Sequence, residues 1–348
     1  MRCQKKYLRT TLLLMAILLV GFTLSACGTS QTTGTDGTTA PTSQQTPTNG
    51  AEKSFKIGVT QIVSHPALDG ARQGFVDALK ANGFEEGKNV TYDFQNAEGS
   101  QDTAKSIADK FVSNKVDLIL AIATPTAQAA AQTTKDIPIV ITAVTDPVSA
   151  GLVASMEKPG GNVTGTTDMN PVKEQLQLVT RLTTGKRLGI LYNSGESNSE
   201  VQVKMAQDAA KELGLTVELS AVTNSSEVKA AAESLSSKVD AFYVPTDNTV
   251  VSALEAVIGV AEAKKIPLVV GEGDSVKRGG LITYGIDYYQ LGYQTGEMAV
   301  KILKGEAKPA DMPVESQKNL KLYVNETEAK KVGIEIPQDL LDKADEKY

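Results

Sequence analysis

Val116-Asp117-Leu118-Ile119-Leu120-Ala121 is a short, nearly continuous apolar run, and it leads directly into Ile122-Ala123-Thr124-Pro125-Thr126-Ala127. A strand that is apolar at successive positions must be covered on both faces, which is the situation of a central strand in a parallel sheet. Thr124-Pro125-Thr126 then places hydroxyls and free N–H groups at the start of a helix. Strand and helix follow each other with almost no loop.

The same alternation extends in both directions, roughly every 30 residues, as expected of parallel βαβ units. Phe55-Lys56-Ile57-Gly58-Val59 reads as the first strand. Pro66 suits a first helical position, and Leu68, Ala71, Phe75, Ala78 and Leu79 share one helix face. Gly83 can stop that helix in the left-handed conformation. Val90, Tyr92 and Phe94 alternate as a strand, and Ala104, Ile107, Ala108 and Phe111 mark the next helix. Pro138-Ile139-Val140-Ile141 and Asn162-Val163-Thr164-Gly165 complete the first half. A second series opens at Arg187-Leu188-Gly189-Ile190-Leu191, with further strands at Thr216–Leu219, Ala241–Val244, Pro267–Val270 and Leu281–Tyr284. Two such series predict an α/β protein of two doubly wound parallel-sheet lobes with a cleft between them.

The N-terminal stretch has a different character. Arg2, Lys5, Lys6 and Arg9 precede an apolar run from Leu12 to Phe22, too short to span a bilayer comfortably. Leu24-Ser25-Ala26-Cys27 resembles the bacterial lipobox, so residues 1–26 are expected to be a signal peptide and Cys27 a lipidation site. Residues 27–53, rich in Thr, Ser, Gln, Gly and Pro, then form a flexible linker. Loss of the signal removes four of 35 basic residues and no acid; 31 remain against 41 acidic, and the net charge moves from −6 to −10. An acidic body argues against nucleic acid and against a polybasic membrane face, leaving the lipid as the membrane attachment. The two cysteines are Cys3 and Cys27, so the mature body has no thiol for disulfides, metals or catalysis.

In open parallel sheets, ligands sit beyond the carboxyl ends of the strands. The first half delivers Gln61, Ser64, His65 and Pro66, then Thr124, Pro125 and Thr126, then Thr145 and Asp146. The second half delivers Tyr192 and Glu196, then Asp247 and Asn248, Glu272, and Asp287. Hydroxyls at a positive helix end suit a carboxylate, and the second-half acids suit an ammonium group. Together they would match an α-amino acid. The competing reading makes Ser64, Thr124 and Asp247 simple helix N-caps. Replacement of Asp247 by Ala or Thr124 by Val is expected to weaken ligand binding with little change in stability if the site reading holds. Tyr192 and Tyr288 could stack on a planar ligand.

Enzyme chemistry has little support. His65 is the single histidine, and no Gly-x-Ser-x-Gly occurs. No cluster has metal-ligand spacing. Gly271-Glu272-Gly273-Asp274 lacks the third glycine of a dinucleotide loop, and no Walker loop is present, so no cofactor is expected.

Several segments, in order, resemble a known family. They are Val63-Ser64-His65-Pro66-Ala67-Leu68-Asp69, Ile122-Ala123-Thr124-Pro125-Thr126-Ala127-Gln128, Thr145-Asp146-Pro147, Lys158-Pro159-Gly160-Gly161-Asn162-Val163-Thr164-Gly165, Pro245-Thr246-Asp247-Asn248 and Lys308-Pro309-Ala310-Asp311-Met312-Pro313. They are similar to the ABC-transporter substrate-binding lipoproteins whose characterised members bind tryptophan and related aromatic amino acids. The resemblance implies a type I periplasmic-binding fold with three crossovers. One lobe would comprise 54–168 plus 286–315, the other 169–285 plus 316–348. It also implies an import role with a permease and an ATPase as partners. Thr126 stands where a small apolar residue is expected in the tryptophan binders. The protein is expected to act as a monomer on the extracytoplasmic face of the bacterial membrane, binding tryptophan, tyrosine or phenylalanine. A nucleoside, sugar or other polar solute, or a role as a ligand-presenting sensor, are the alternatives.

Overall fold

Strand order repeats between the two halves of the chain, and this repetition explains where a ligand can sit. The computed structural model describes residues 53–348, so the expected signal peptide, Cys27 and nearly all of the linker lie outside it. The first half holds β1 (Phe55–Gln61), α1 (Pro66–Ala81), β2 (Val90–Asn96), α2 (Gln101–Ser113), β3 (Leu118–Ile122), α3 (Thr124–Thr133), β4 (Ile139–Val144) and β5 (Val163–Thr167). The second half begins with α4 (Val172–Leu182), β6 (Arg187–Asn193), α5 (Ser197–Leu213), β7 (Thr216–Val222), α6 (Val228–Ser236) and β8 (Ala241–Val244). It continues with α7 (Asn248–Ser252), α8 (Leu254–Lys264), β9 (Leu268–Val270), α9 (Gly273–Arg278) and β10 (Ile282–Gly285). Last come α10 (Tyr288–Leu303), β11 (Glu315–Ser316), β12 (Lys321–Val324), α11 (Glu326–Val332), α12 (Gln338–Lys343) and β13 (Glu346–Lys347).

One sheet runs β11-β5-β4-β3-β1-β2 and the other β13-β12-β10-β9-β8-β6-β7. Each contains the doubly wound order 2-1-3-4-5, in which the connection reverses direction beside the first strand. Pairing is parallel except where β12 runs antiparallel to β10. The chain passes between the sheets after β5, after β10 and after β11.

The deciding segment behaves as its composition requires. Leu118 to Ile122 are all fully buried, with β1 on one side and β4 on the other. One apolar cluster fills the first lobe around these strands. In the second lobe two clusters lie around the sheet, one including Ile190 and Tyr243 and the other including Phe242 and Val270. Adjacent Phe242 and Tyr243 fall into different clusters because strand side chains alternate between faces.

Helix ends follow local chemistry. Pro66 opens α1, Ser100 caps α2 through the Thr103 N–H, and α5 ends at Gly214 with φ 69°. The closest helix contact joins α1 to α10. A Cβ at Gly74 would stand 2.0 Å from the Tyr289 carbonyl oxygen, and one at Gly292 would stand 1.8 Å from that of Ala71. Only glycine allows that approach. It seats the start of α10, and with it Tyr288, against the first lobe.

Candidate functional site

The switch points of both sheets meet at one small cavity of about 10 Å³ between the lobes. That space holds about one water molecule, well below the range of small-molecule sites, about 300–1,000 Å³. The first lobe supplies His65, Leu68, Ala143, Asp168 and Tyr288 to its wall. The second supplies Asn198, Thr246, Asn248, Val251 and Glu272. A wider recess of about 300 Å³ also lies between the lobes, lined by Ile62, Gln101 and Pro125 on one side and Asn193, Gly195 and Glu196 on the other. The Gln101 amide donates to the Gly195 carbonyl across it at 3.1 Å.

Three oxygens in the cavity wall are buried without a protein partner: Asp168 Oδ1, Asn198 Oδ1 and Glu272 Oε2. An orphaned buried polar atom costs about 1–3 kcal/mol, so three around one cavity leave a place where a donor would be favoured. In each residue the other end of the group is engaged. Glu272 Oε1 caps α9 by accepting the Ser275 N–H at 2.9 Å and its hydroxyl. Asp168 Oδ2 accepts the Tyr288 hydroxyl at 2.5 Å. The Thr145 hydroxyl approaches the Asp168 carboxyl without bonding Oδ1. Asn198 Nδ2 donates to Glu196 Oε2, Ser199 Oγ and the Thr246 carbonyl at 3.2–3.4 Å. Those acceptors fix the amide orientation and leave its oxygen toward the cavity.

The electrostatics favour a cation at this end. No lysine or arginine lines the cavity. Burial, reinforced by the Asp274 charge, pushes Glu272 up to about 7. Burial also raises Asp168, with the Tyr288 and Thr145 hydroxyls opposing it. His65 is held down at about 3, chiefly by burial and then by the Arg278 charge, so its ring is neutral, with Nδ1 unpartnered. An arriving ammonium would supply the charge that these acids lack and donate to three oxygens at once.

An anion is served elsewhere. Thr124 Oγ1 is buried and unpartnered at the first position of α3, where the Ala123 side chain provides no cap. Free backbone N–H groups and the helix dipole make such an end attractive to a carboxylate.

The sequence-predicted residues separate into three groups. His65, Asn248 and Glu272 line the cavity, Thr145 stands beside the Asp168 carboxyl in its wall, and Pro125 faces the wider recess with Thr124 preceding it at the start of α3. Thr126 turns its hydroxyl back onto the carbonyls of Ile122 and Ala123. The remainder are engaged with other partners away from the cavity. Gln61 bonds Asp69 and the Val63 carbonyl, and Ser64 is exposed and also bonds Asp69. Asp146 holds the N–H groups of Val148 and Ser149 in a turn. Tyr192 packs in the core of the second lobe. Asp287 caps α10 and pairs with Lys321 at 3.3 Å beside an outer groove.

Asp247 is the most fully engaged of them. It takes the Val250 N–H as a cap, the Asn193 N–H and the Ser199 hydroxyl, all at 2.5–2.7 Å. Burial and the neighbouring Glu196 raise it to about 7. Its work is to brace the loops that present Asn198 and Asn248.

Asp168 and Asn198 are cavity residues that strand-end reasoning passed over, while Tyr288, expected as a stacking ring, stands in the wall with its hydroxyl on Asp168. Asp168 directly follows β5, so the same rule would have found it. Asn198 lies one residue inside α5, and only folding reveals its direction.

Residues 56–348 match the family model described as ABC transporter substrate binding protein. A tyrosine-binding protein of Clostridioides difficile is 46% identical over 312 residues, 88% of this chain and 90% of that one. A crystal structure described as an ABC domain in complex with L-Trp, from Streptococcus pneumonia, is 41% identical with a TM-score of 0.82, covering 85% of this chain and all of that one. The ligand-free, open structure of a substrate-binding protein with adhesive properties from Clostridium difficile is 48% identical, yet its TM-score is 0.63 over 84% of this chain and 98% of that one. Lower shape similarity at higher identity is what rigid-body separation of two lobes produces; the lobes here are disposed as in the ligand complex. The chain belongs to the ABC transporter substrate-binding protein family, as an extracytoplasmic solute binder and not an enzyme.

Proposed function

We propose that this protein captures an aromatic amino acid as a zwitterion between its lobes and delivers it to the permease and ATPase of an importer. Asp168, Glu272 and Asn198 receive the ammonium group, and Thr124 with the N-terminus of α3 receives the carboxylate. Leu68, Ala143 and Val251 give the side chain apolar contact. The observation that carries this reading is the trio of orphaned acceptor oxygens, drawn from both lobes, around one cavity without a basic residue. The tyrosine named for one relative and the L-Trp held by another support an aromatic side chain. In this reading one lobe comprises 54–168 with 286–315 and the other 169–285 with 316–348. The protein acts as a monomer held to the membrane by lipid on Cys27.

A thermal-shift screen of the twenty amino acids beside sugars and nucleosides tests it. Tyrosine, tryptophan or phenylalanine should raise the melting temperature most. Stabilisation by a sugar or nucleoside alone would replace the amino-acid reading with that solute.

A further inference from the structure

We infer that Tyr288 is a positioning residue which holds Asp168 so that one carboxylate oxygen is kept for the ligand's α-amino group, making selection for that group depend on a hydroxyl that need not touch it. The inference rests on the amino-acid reading above and deepens it.

Asp168 lies at the first crossover between the lobes, directly after β5, and Tyr288 opens α10 just past the second. The Tyr288 hydroxyl donates to Asp168 Oδ2, and Oδ1 of the same group is buried and unbonded in the cavity wall. Tyr288 is itself nearly fully buried, so its ring cannot swing away to solvent. Its backbone is fixed from both sides. Asp287 caps the following turn through the Gln290 N–H at 3.1 Å. Gln317, on the third crossover, grips the Asp287 peptide, accepting from its N–H at 3.1 Å and donating to its carbonyl at 2.7 Å. The aspartate is thus tied through Tyr288 to a point where the crossovers are joined.

Two consequences follow from this arrangement. A donor on Oδ2 selects one carboxylate rotamer, and without it Asp168 can turn and spread its oxygens between protein and ligand. The same donor favours the ionised carboxylate, which an ammonium needs as its partner. Removing the hydroxyl should therefore penalise ligands that carry the amino group far more than ligands that lack it.

The test compares wild type with Tyr288→Phe by calorimetric titration with tryptophan and with indolepropionate, which is tryptophan without its amino group. Tyrosine and hydroxyphenylpropionate form a second pair. Wild type should prefer each amino acid strongly over its des-amino partner. In Tyr288→Phe the preference should shrink roughly tenfold or more, with the des-amino affinity little changed. In an Asp168→Asn background, Tyr288→Phe should alter the preference no further. Equal loss for both members of a pair would make Tyr288 a wall residue and overturn the inference, as would an unchanged preference. Failure of wild type to prefer the amino acids would overturn the amino-acid reading itself. If Tyr288→Phe does not fold, a crystal structure of the wild-type tryptophan complex decides. It should show the ammonium on Asp168 Oδ1 and the Tyr288 hydroxyl on Oδ2; an ammonium bound without Asp168 contradicts the inference.

Discussion

Ser275 gives both its backbone N–H and its hydroxyl to one oxygen of Glu272, and the other oxygen, Oε2, stands unbonded in the wall of the interlobe cavity. Asp168 repeats the arrangement from the opposite lobe, with Tyr288 as its holder. Each acid uses half of its carboxylate to fix its own direction and presents the other half. Acceptors fixed in advance lose little freedom when a ligand arrives, which favours binding.

Glu272→Gln should weaken binding of the preferred amino acid by roughly tenfold to a hundredfold, the value of a hydrogen bond to a charged group. The unliganded variant should be no less stable, because a buried acid that resists ionisation has been removed. Calorimetric titration and differential scanning calorimetry measure the two effects separately.

Stability without ligand should fall as pH rises from about 4.5 to about 7. Burial raises Glu272 from 4.5 to about 7 and Asp247 from 3.8 to about 7, so over that window the folded protein retains protons that the unfolded chain has released. His65, lowered from 6.5 to about 3 by burial, acts in the opposite sense below 6.5, and the two raised acids outweigh it. Ligand affinity should rise over the same interval, since an ammonium binds the ionised acids. Melting temperatures recorded across the window should decline in wild type and decline less in Glu272→Gln.

Asp247→Ala should cost about 2 kcal/mol or more, through a lost cap and two buried donors left without an acceptor. Affinity should change less than in Glu272→Gln. Urea unfolding followed by circular dichroism gives the stability, and an unchanged midpoint would refute the bracing role.

These contrasts show what could be read from the chain before folding. Leu118–Ile122 declared a central strand because every position is apolar, and Pro66 and Gly83 declared helix boundaries through their own backbone chemistry. Strand ends were therefore found, and with them His65, Asn248 and Glu272. Direction was not legible. Asp247 and Glu272 each follow a strand and each cap a helix, but Asp247 has both oxygens engaged and Glu272 only one. That difference depends on Asn193 and Ser199, which are distant from Asp247 in sequence.

Gln101→Ala should loosen closure. It removes the hydrogen bond from the start of α2 to the Gly195 carbonyl across the recess. Affinity should fall about two- to tenfold, mainly through faster release. The chain contains no tryptophan, so the fluorescence of bound tryptophan reports release directly in a stopped-flow experiment. Slower binding with an unchanged release rate would contradict a latch.

The most direct test of an ammonium held by Asp168, Glu272 and Asn198 is calorimetric titration with tryptophan and tyrosine beside their N-acetyl derivatives, which keep ring and carboxylate but lose the positive charge. The free amino acids should bind and the acetylated ones should give no measurable heat. Comparable binding of an acetylated derivative would contradict the account.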